Sequence, residues 1–577
     1  MPGMRADQLS PAARADALAR MAARQFDVVV IGGGVTGAGA ALDAATRGLS
    51  VAMIEARDYS SGTSSRSSKL IHGGVRYLEQ MNFALVREAL KERSLLLERL
   101  APHLVRTVPF LFPFHHHVWE RFYLGSGLLL YDSIGGAGAV PRHRHLTRTQ
   151  ALRLAPALRR DALVGALQYY DAQVDDARLV CTLVRTAAYY GAAVASSAQV
   201  VGLLREGERV AGVRVRDLES NAEIEIIGRQ VINATGVWTD DIQELVGGRG
   251  RFQVRASKGI HLVVPKDRIH ADTGIILRTE KSVLFVIPWG RHWLIGTTDT
   301  EWNLDKAHPA ASAADIDYLL EHVNSVLRVP LTRQDVEGTY AGLRPLLAGE
   351  DEATSQLSRE HAVAQPVAGL TVIAGGKYTT YRVMGRDAVD VATNALDGVP
   401  PSCTERIPLL GAEGYPACCN NRENLAGQSG LHVARVEHLL HRYGSLVHDL
   451  LDLIAAEPEL AEPIEGADDY LKVEARYAAS HEGALHLDDV LTRRTRIYME
   501  TWDRGLAAAP VIARLVAPVL GWRQADVDRE VEYYRLRVKA ERESQEQHDD
   551  LAADAARLGA PDVRMGLRAA PGPAPVA

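Results

Sequence analysis

The stretch Phe26-Asp27-Val28-Val29-Val30-Ile31-Gly32-Gly33-Gly34-Val35-Thr36-Gly37 decides the fold. Its first six residues form an apolar run suited to a buried parallel strand. Gly32, Gly34 and Gly37 then complete a Gly-x-Gly-x-x-Gly pattern that opens a small-residue segment, Val35 to Arg47, and this segment predicts a helix. A second apolar run, Leu49 to Ile54, follows. Strand, Gly-rich turn, helix and strand in about 30 residues make a βαβ unit with a right-handed crossover. The first glycine permits the tight turn, the second lets backbone approach a pyrophosphate, and the third lets helix and strand pack closely. Free N–H groups at the helix start favour phosphate. Glu55 ends the second strand, 55 − 32 = 23 residues past Gly32, near the ~20-residue spacing of an acid that takes ribose hydroxyls. A carboxylate there repels a 2′-phosphate and disfavours NADP. The motif does not separate FAD from NAD.

Working outward, Ser60 to Tyr77 is a Ser- and Gly-rich loop whose backbone donors and small hydroxyls suit an extended diphosphate. Met81 to Leu100 carries helical apolar spacing, and Val105 to Tyr131 mixes aromatic and aliphatic residues around Pro109 and Pro113. Short alternating runs with a hairpin at Glu206–Glu208, and runs at His261–Val264, Ser282–Pro288 and His292–Gly296, predict a mostly antiparallel sheet. Leu370–Ala374 reads as a strand ending in Gly375-Gly376, before a helix from Thr380 to Leu396. After Pro400-Pro401 the pattern becomes helical, as in Val436, Leu439, Leu440 and Tyr443, which places a boundary near 400–405.

The chain has 577 residues, 47% apolar and 24% charged, with a net charge of −7. That composition supports a sizeable folded core and argues against a dedicated nucleic-acid binder, which needs a basic stripe. Four cysteines without a CxxC pair, Cys181, Cys403, Cys418 and Cys419, give neither a disulfide framework nor a metal ligand set. No run reaches the ~18 apolar residues of a spanning helix. Residues 1–25 read as a polar leader with helical character rather than a secretory signal, and residues 551–577 read as a flexible tail.

With these motifs in place, the chain resembles the FAD-dependent, quinone-linked glycerol-3-phosphate dehydrogenases. The resemblance rests on FDVVVIGGGVTGAGAALDAATRG, SSRSSKLIHGGVRYLE, NATGVWTD, KGIHLVV, IGTTDT, AGLRPL and GGKYTTYR across about residues 26–385, and on LHLDDVLTRRTR at Leu485–Arg496. It implies an α/β fold: a Rossmann-like FAD-binding domain interleaved with an antiparallel-sheet substrate domain, plus a C-terminal all-α domain. The flavoenzyme body spans 26–400. FAD-binding pieces are expected at about 26–100, 165–250 and 340–400, substrate-domain pieces at 101–164 and 251–339, and the helical domain at 405–545.

By the same resemblance the cofactor is FAD, held non-covalently by Gly32, Gly34, Gly37, Glu55, Thr63, Ser64, Ser68, His72, Gly73, Gly74, Thr235, Gly236, Lys377, Thr379 and Thr380. The substrate is glycerol 3-phosphate. Its phosphate is expected on Arg344 and Lys377, whose fork and point charge suit oxyanions. His261 and Arg76 are the expected catalytic pair, with Tyr77 adding a hydrogen bond, although a lone His on an apolar strand is more often plain core. Electrons are expected to pass to membrane quinone from a cytoplasmic protein peripheral on the inner face of the plasma membrane, with Phe110–Tyr131 as one contact segment. A homodimer is compatible with this reading. The alternatives are an oxygen-using oxidase of the same fold and another flavoenzyme acting on a hydroxy acid or amine. His115-His116-His117 is not expected to hold metal, because consecutive side chains diverge. Arg493-Arg494-Thr495-Arg496 is expected to dock the C-terminal domain by ion pairs.

Overall fold

The computed structural model describes residues 7–74, 82–114, 125, 131, 140–247, 253–278, 283–347 and 360–566. The first apolar run is a strand, Phe26–Ile31, flanked in parallel by Val51–Ile54 and Glu223–Asn233. Ala193–Ala195 extends the sheet beyond Val51–Ile54, and Leu370–Gly375 beyond Glu223–Asn233, both in parallel. His361–Val367 closes that edge antiparallel. The strands Val28–Val30 are fully buried, as a parallel sheet covered on both faces requires. Helices Val35–Thr46, Asp176–Tyr189 and Tyr381–Thr393 supply one covering layer.

Among the described residues, a second sheet of ten strands centres on Val254–Pro265. That strand pairs antiparallel with Gly338–Leu347 along most of its length, and with His292–Gly296 on its other side. The register sets His261 opposite both Tyr340 and Gly296. Three segments expected in the nucleotide-binding half belong to this sheet instead, one of them the short strand Leu70–Ile71, which pairs with Gly165–Gln173. Gly165–Gln173 pairs with Arg106–Phe114 from Arg106↔Gln173 to Phe114↔Gly165, and Gly338–Leu347 pairs with Val254–Pro265. Linear segmentation misplaces them because apolar alternation says that a strand exists, not which sheet receives it.

The C-terminal region is helical, with Val433–Tyr443, Val447–Ala456, Lys472–His481, Ala509–Leu520 and Gln524–Glu546 as its main helices. It is not purely helical: Pro463–Ile464 and Ala467–Leu471 form a two-stranded ribbon. The expected tail also differs. Residues 551–566 are not a loose extension, because helices Asp550–Leu558 and Val563–Gly566 pack back on the body. Asp562 pairs with Arg57 and His308, and Arg564 with Asp489. Those charges look solvated in sequence and are matched only in the fold. The leader is docked as well. Helix Pro11–Ala23 starts at a Ser10 cap, buries Ala17 and Met21, and is preceded by a buried Asp7–Arg185 pair at 3.1 Å.

The Arg493–Arg496 segment meets the body through buried ion pairs. Asp58 takes Arg493 and Arg494, the latter at 2.6 Å, while Arg496 takes Asp175 at 2.6 Å and also Asp176. Among the described residues, no helix is long and apolar enough to cross a membrane. Phe110 and Phe114 are buried strand residues, while Trp119, Phe122, Tyr123 and His115–His117 lie outside the described residues.

Candidate functional site

The glycine turn is locked from both sides. Gly32 has φ +111°, and a Cβ there would lie 2.6 Å from the Ala234 carbonyl oxygen. A Cβ on Gly37 would fall 1.9 Å from the Gly32 oxygen. Glu55 stabilises the turn from the next strand: its carboxylate accepts the Gly33 N–H at 2.6 Å and the Arg57 N–H at 2.8 Å. Burial pushes this carboxyl upward in pKa. Opposite, Asn233 Oδ1 accepts from the N–H and hydroxyl of Thr235, which shapes the Asn-Ala-Thr-Gly turn.

These turns border a cavity of about 470 Å³. Gly32, Gly34, Glu55, Thr63, Ser64, Thr235, Gly236 and Lys377 line it, with Trp238 and Tyr378 as lining residues not anticipated from sequence. Ser64 also caps the helix, accepting the Val35 N–H at 3.0 Å. The donor set suits FAD: backbone N–H groups at a helix start, an acid at the ribose position, and Gly375-Gly376-Lys377 on the wall.

The other expected contacts stand back from this wall. Gly37 serves helix packing. Thr379 Oγ1 bridges the His72 N–H and carbonyl at 3.1 and 3.2 Å, and Thr380 bonds the Lys377 carbonyl. The Gly73 N–H donates to Tyr131, whose hydroxyl donates to Asp171 at 2.7 Å. Gly74 is buried at the end of the same loop. Arg76 and Tyr77 lie outside the described residues.

His261 is 2% exposed, and its Nε2 is 2.8 Å from Ser68 Oγ. Its ring stacks on Tyr340 at 4.7 Å and 10°, a consequence of the strand register. Nδ1 has no hydrogen-bond partner among the described residues. Burial, with Lys69 and Arg344 nearby, holds its pKa well below the ordinary histidine value. The imidazole is therefore neutral at physiological pH and able to accept a proton. Arg344 lies against Gly259, two residues along the same strand face, and donates to Thr297 Oγ1 at 3.1 Å.

Lys69 is not among the site residues the sequence motifs point to, although it lies in the Ser60–Tyr77 loop. Its fully buried ammonium pairs with Asp176 at 3.0 Å and stands 4.8 Å over the Tyr340 ring. Burial and Arg496 push its pKa down to about 8, against the pull of Asp176. Asp176 also accepts from the Ser67 N–H and hydroxyl, while the Tyr340 hydroxyl donates to the Ser67 carbonyl. The loop that carries Ser68 is thus clamped from three elements.

A family model described as FAD dependent oxidoreductase matches residues 27–382, and one described as the C-terminal domain of alpha-glycerophosphate oxidase matches 402–527. Glycerol-3-phosphate dehydrogenase 2 of Mycobacterium tuberculosis is 62% identical over 566 residues, covering 98% of this chain and 97% of the relative. The chain belongs to the FAD-dependent glycerol-3-phosphate dehydrogenase family. Its cofactor is FAD. The human mitochondrial glycerol-3-phosphate dehydrogenase is 34% identical, over 92% of this chain and 76% of its own length. The crystal structure of glycerol-3-phosphate dehydrogenase from Bacillus halodurans complexed with FAD matches with a TM-score of 0.77 and 30% identity, over 92% of this chain and 98% of that one. The dehydrogenase family thus accounts for the whole body and for its C-terminal domain.

Proposed function

We propose that the protein oxidises sn-glycerol 3-phosphate to dihydroxyacetone phosphate and passes the electrons to a membrane quinone. The observation that carries the reading is the buried neutral His261, held on Ser68 with Arg344 on the same strand face, in a chain 62% identical to a glycerol-3-phosphate dehydrogenase. FAD, when bound, supplies the two-electron acceptor for the hydride leaving C2. Gly32, Gly34, Glu55 and Thr235 would hold its dinucleotide part, and Lys377 its far end.

The protein's own work is binding, orientation and proton transfer. Arg344 and Lys377 offer cations to the phosphate, and His261 accepts the C2 hydroxyl proton as the alkoxide develops. Ser68 fixes the imidazole so that the proton goes to a defined nitrogen, while Tyr340 holds the ring plane. Arg76, by the family resemblance, would steady the developing oxyanion.

Two measurements test the reading. With glycerol 3-phosphate and a soluble quinone analogue under anaerobic conditions, dihydroxyacetone phosphate should form in step with quinone reduction. Hydrogen peroxide in step with product in air, without quinone reduction, would identify the oxygen-using alternative and refute the quinone assignment. High-salt washing of membranes should release the protein if its membrane contact is peripheral.

A further inference from the structure

A second cavity, of about 50 Å³, lies between the body and the C-terminal domain. Five arginines line it, Arg66, Arg493, Arg496, Arg537 and Arg557, against two carboxylates, Asp488 and Glu541. These charges are unevenly matched. Arg493 is matched by Asp58, Asp489 and, at 3.0 Å, Asp488, and Arg496 by Asp175 and Asp176. Arg557 shares Glu541 with Arg504, at 3.4 and 3.6 Å. Arg537 reaches Asp488 only at 3.5 Å and donates to His308 Nδ1 at 2.9 Å. The Arg66 guanidinium makes one hydrogen bond among the described residues, to the Ala307 carbonyl at 3.2 Å, and has no carboxylate there at ion-pair distance. Burial and the neighbouring Arg537, Arg557 and Arg493 push its pKa down to about 9.

Of the three half-buried arginines, Arg66 lacks a counter-charge and Arg537 and Arg557 have only long ion pairs; such a cluster is costly unless an anion joins it, and a planar fork is the side chain best shaped for oxyanions. The cavity is too small for a nucleotide and has hydroxyls on its wall from Ser65, Thr492 and Tyr498. We propose that this cavity is an inter-domain site for a single tetrahedral oxyanion of phosphate size, held by Arg66, Arg537 and Arg557. The site is separate from the flavin cavity and does not depend on which substrate is oxidised. The two cavities share one loop: Thr63, Ser64 and Ser67 line the flavin cavity, while Ser65 and Arg66 line this one. Bound anion would therefore tie the loop beneath the flavin to helix Gln524–Glu546 of the C-terminal domain.

The test uses the holoenzyme with two probes, selenate and inorganic phosphate. Crystals soaked in selenate should show an anomalous peak between Arg66, Arg537 and Arg557. In solution, phosphate should raise the thermal midpoint saturably above chloride at equal ionic strength. R344Q is used as the background, to weaken phosphate binding at the proposed substrate site, where Lys377 remains. Adding R66Q should raise the half-saturating phosphate at least ~10-fold, the effect of losing a charge-assisted hydrogen bond. No selenate peak in this cavity, or an equal phosphate response with and without R66Q, would overturn the proposal. If the R66Q protein does not fold, the selenate map alone decides.

Discussion

His261 combines burial, a stacked ring and a hydroxyl on Nε2, and each feature limits what it can do. Because its pKa lies well below the ordinary value, it stays in the proton-accepting form through neutral pH. The acid limb of kcat/KM should therefore lie below about pH 6.5 rather than at it; a limb at or above 6.5 that disappears in His261→Asn would contradict the neutral-base role. His261→Ala should lower kcat at least ~100-fold while the flavin spectrum of the purified protein is retained. Ser68→Ala, which removes only the hydrogen bond at 2.8 Å, should lower kcat by a smaller factor and leave substrate KM nearly unchanged. The importance of His261 could be suspected from the sequence only through the family motif. Its partner Tyr340 could not, because their stacking follows from a strand register between segments far apart in the chain. Lys69 was hidden for a related reason: a lysine in a Ser-rich loop looks solvated until Asp176 and Tyr340 are seen to enclose it.

At the scale of elements, the glycine turn was the most legible part of the molecule. Its chemistry is local: strand, turn, helix and terminal acid all fall within one βαβ unit. Gly37→Val should purify without bound flavin, since a side chain would collide with the Gly32 carbonyl; a normal flavin-to-protein ratio in that variant would show that the turn is not needed to hold the cofactor. The sheets were less legible. Gly165–Gln173 and Gly338–Leu347 were recognisable as extended segments, but their assignment to the second sheet is a matter of long-range pairing. In sequence, the loop from Ser60 to Tyr77 suits an extended diphosphate and, by the family resemblance, brings Arg76 and Tyr77 to the substrate. In the structure its residues divide between the flavin cavity, the second cavity, His261 and the Thr379 bridge.

Across the whole molecule, buried ion pairs fasten the C-terminal domain to the flavoenzyme body. Arg494→Met would leave Asp58 with one cation fewer in a fully buried position, and should cost about 3–5 kcal/mol, read as a lower urea midpoint and faster proteolytic release of the C-terminal domain. His486 adds a pH-dependent tie. Burial and Arg564 oppose its charge, but hydrogen bonds to Glu219 of the body and Glu530 of the helical domain outweigh them and push it up to about 10. A raised folded-state pKa stabilises fully below the unfolded value near 6.5, and that stability is lost as pH rises through about 10. Thermal midpoints should accordingly fall between pH 6.5 and 10 in the native protein, and less steeply in His486→Gln. The arginine segment could be read as a docking element because its neighbours Asp488 and Asp489 are local. The ordered tail could not, because Asp562 and Arg564 find their partners only across the fold. The central claim, that this site draws electrons from glycerol 3-phosphate into bound flavin, has one direct measurement: the visible spectrum of the purified holoenzyme on anaerobic addition of that substrate. Bleaching of the flavin bands at a rate that supports turnover is the predicted result; a spectrum left unchanged by glycerol 3-phosphate, while dithionite still bleaches it, would contradict the account.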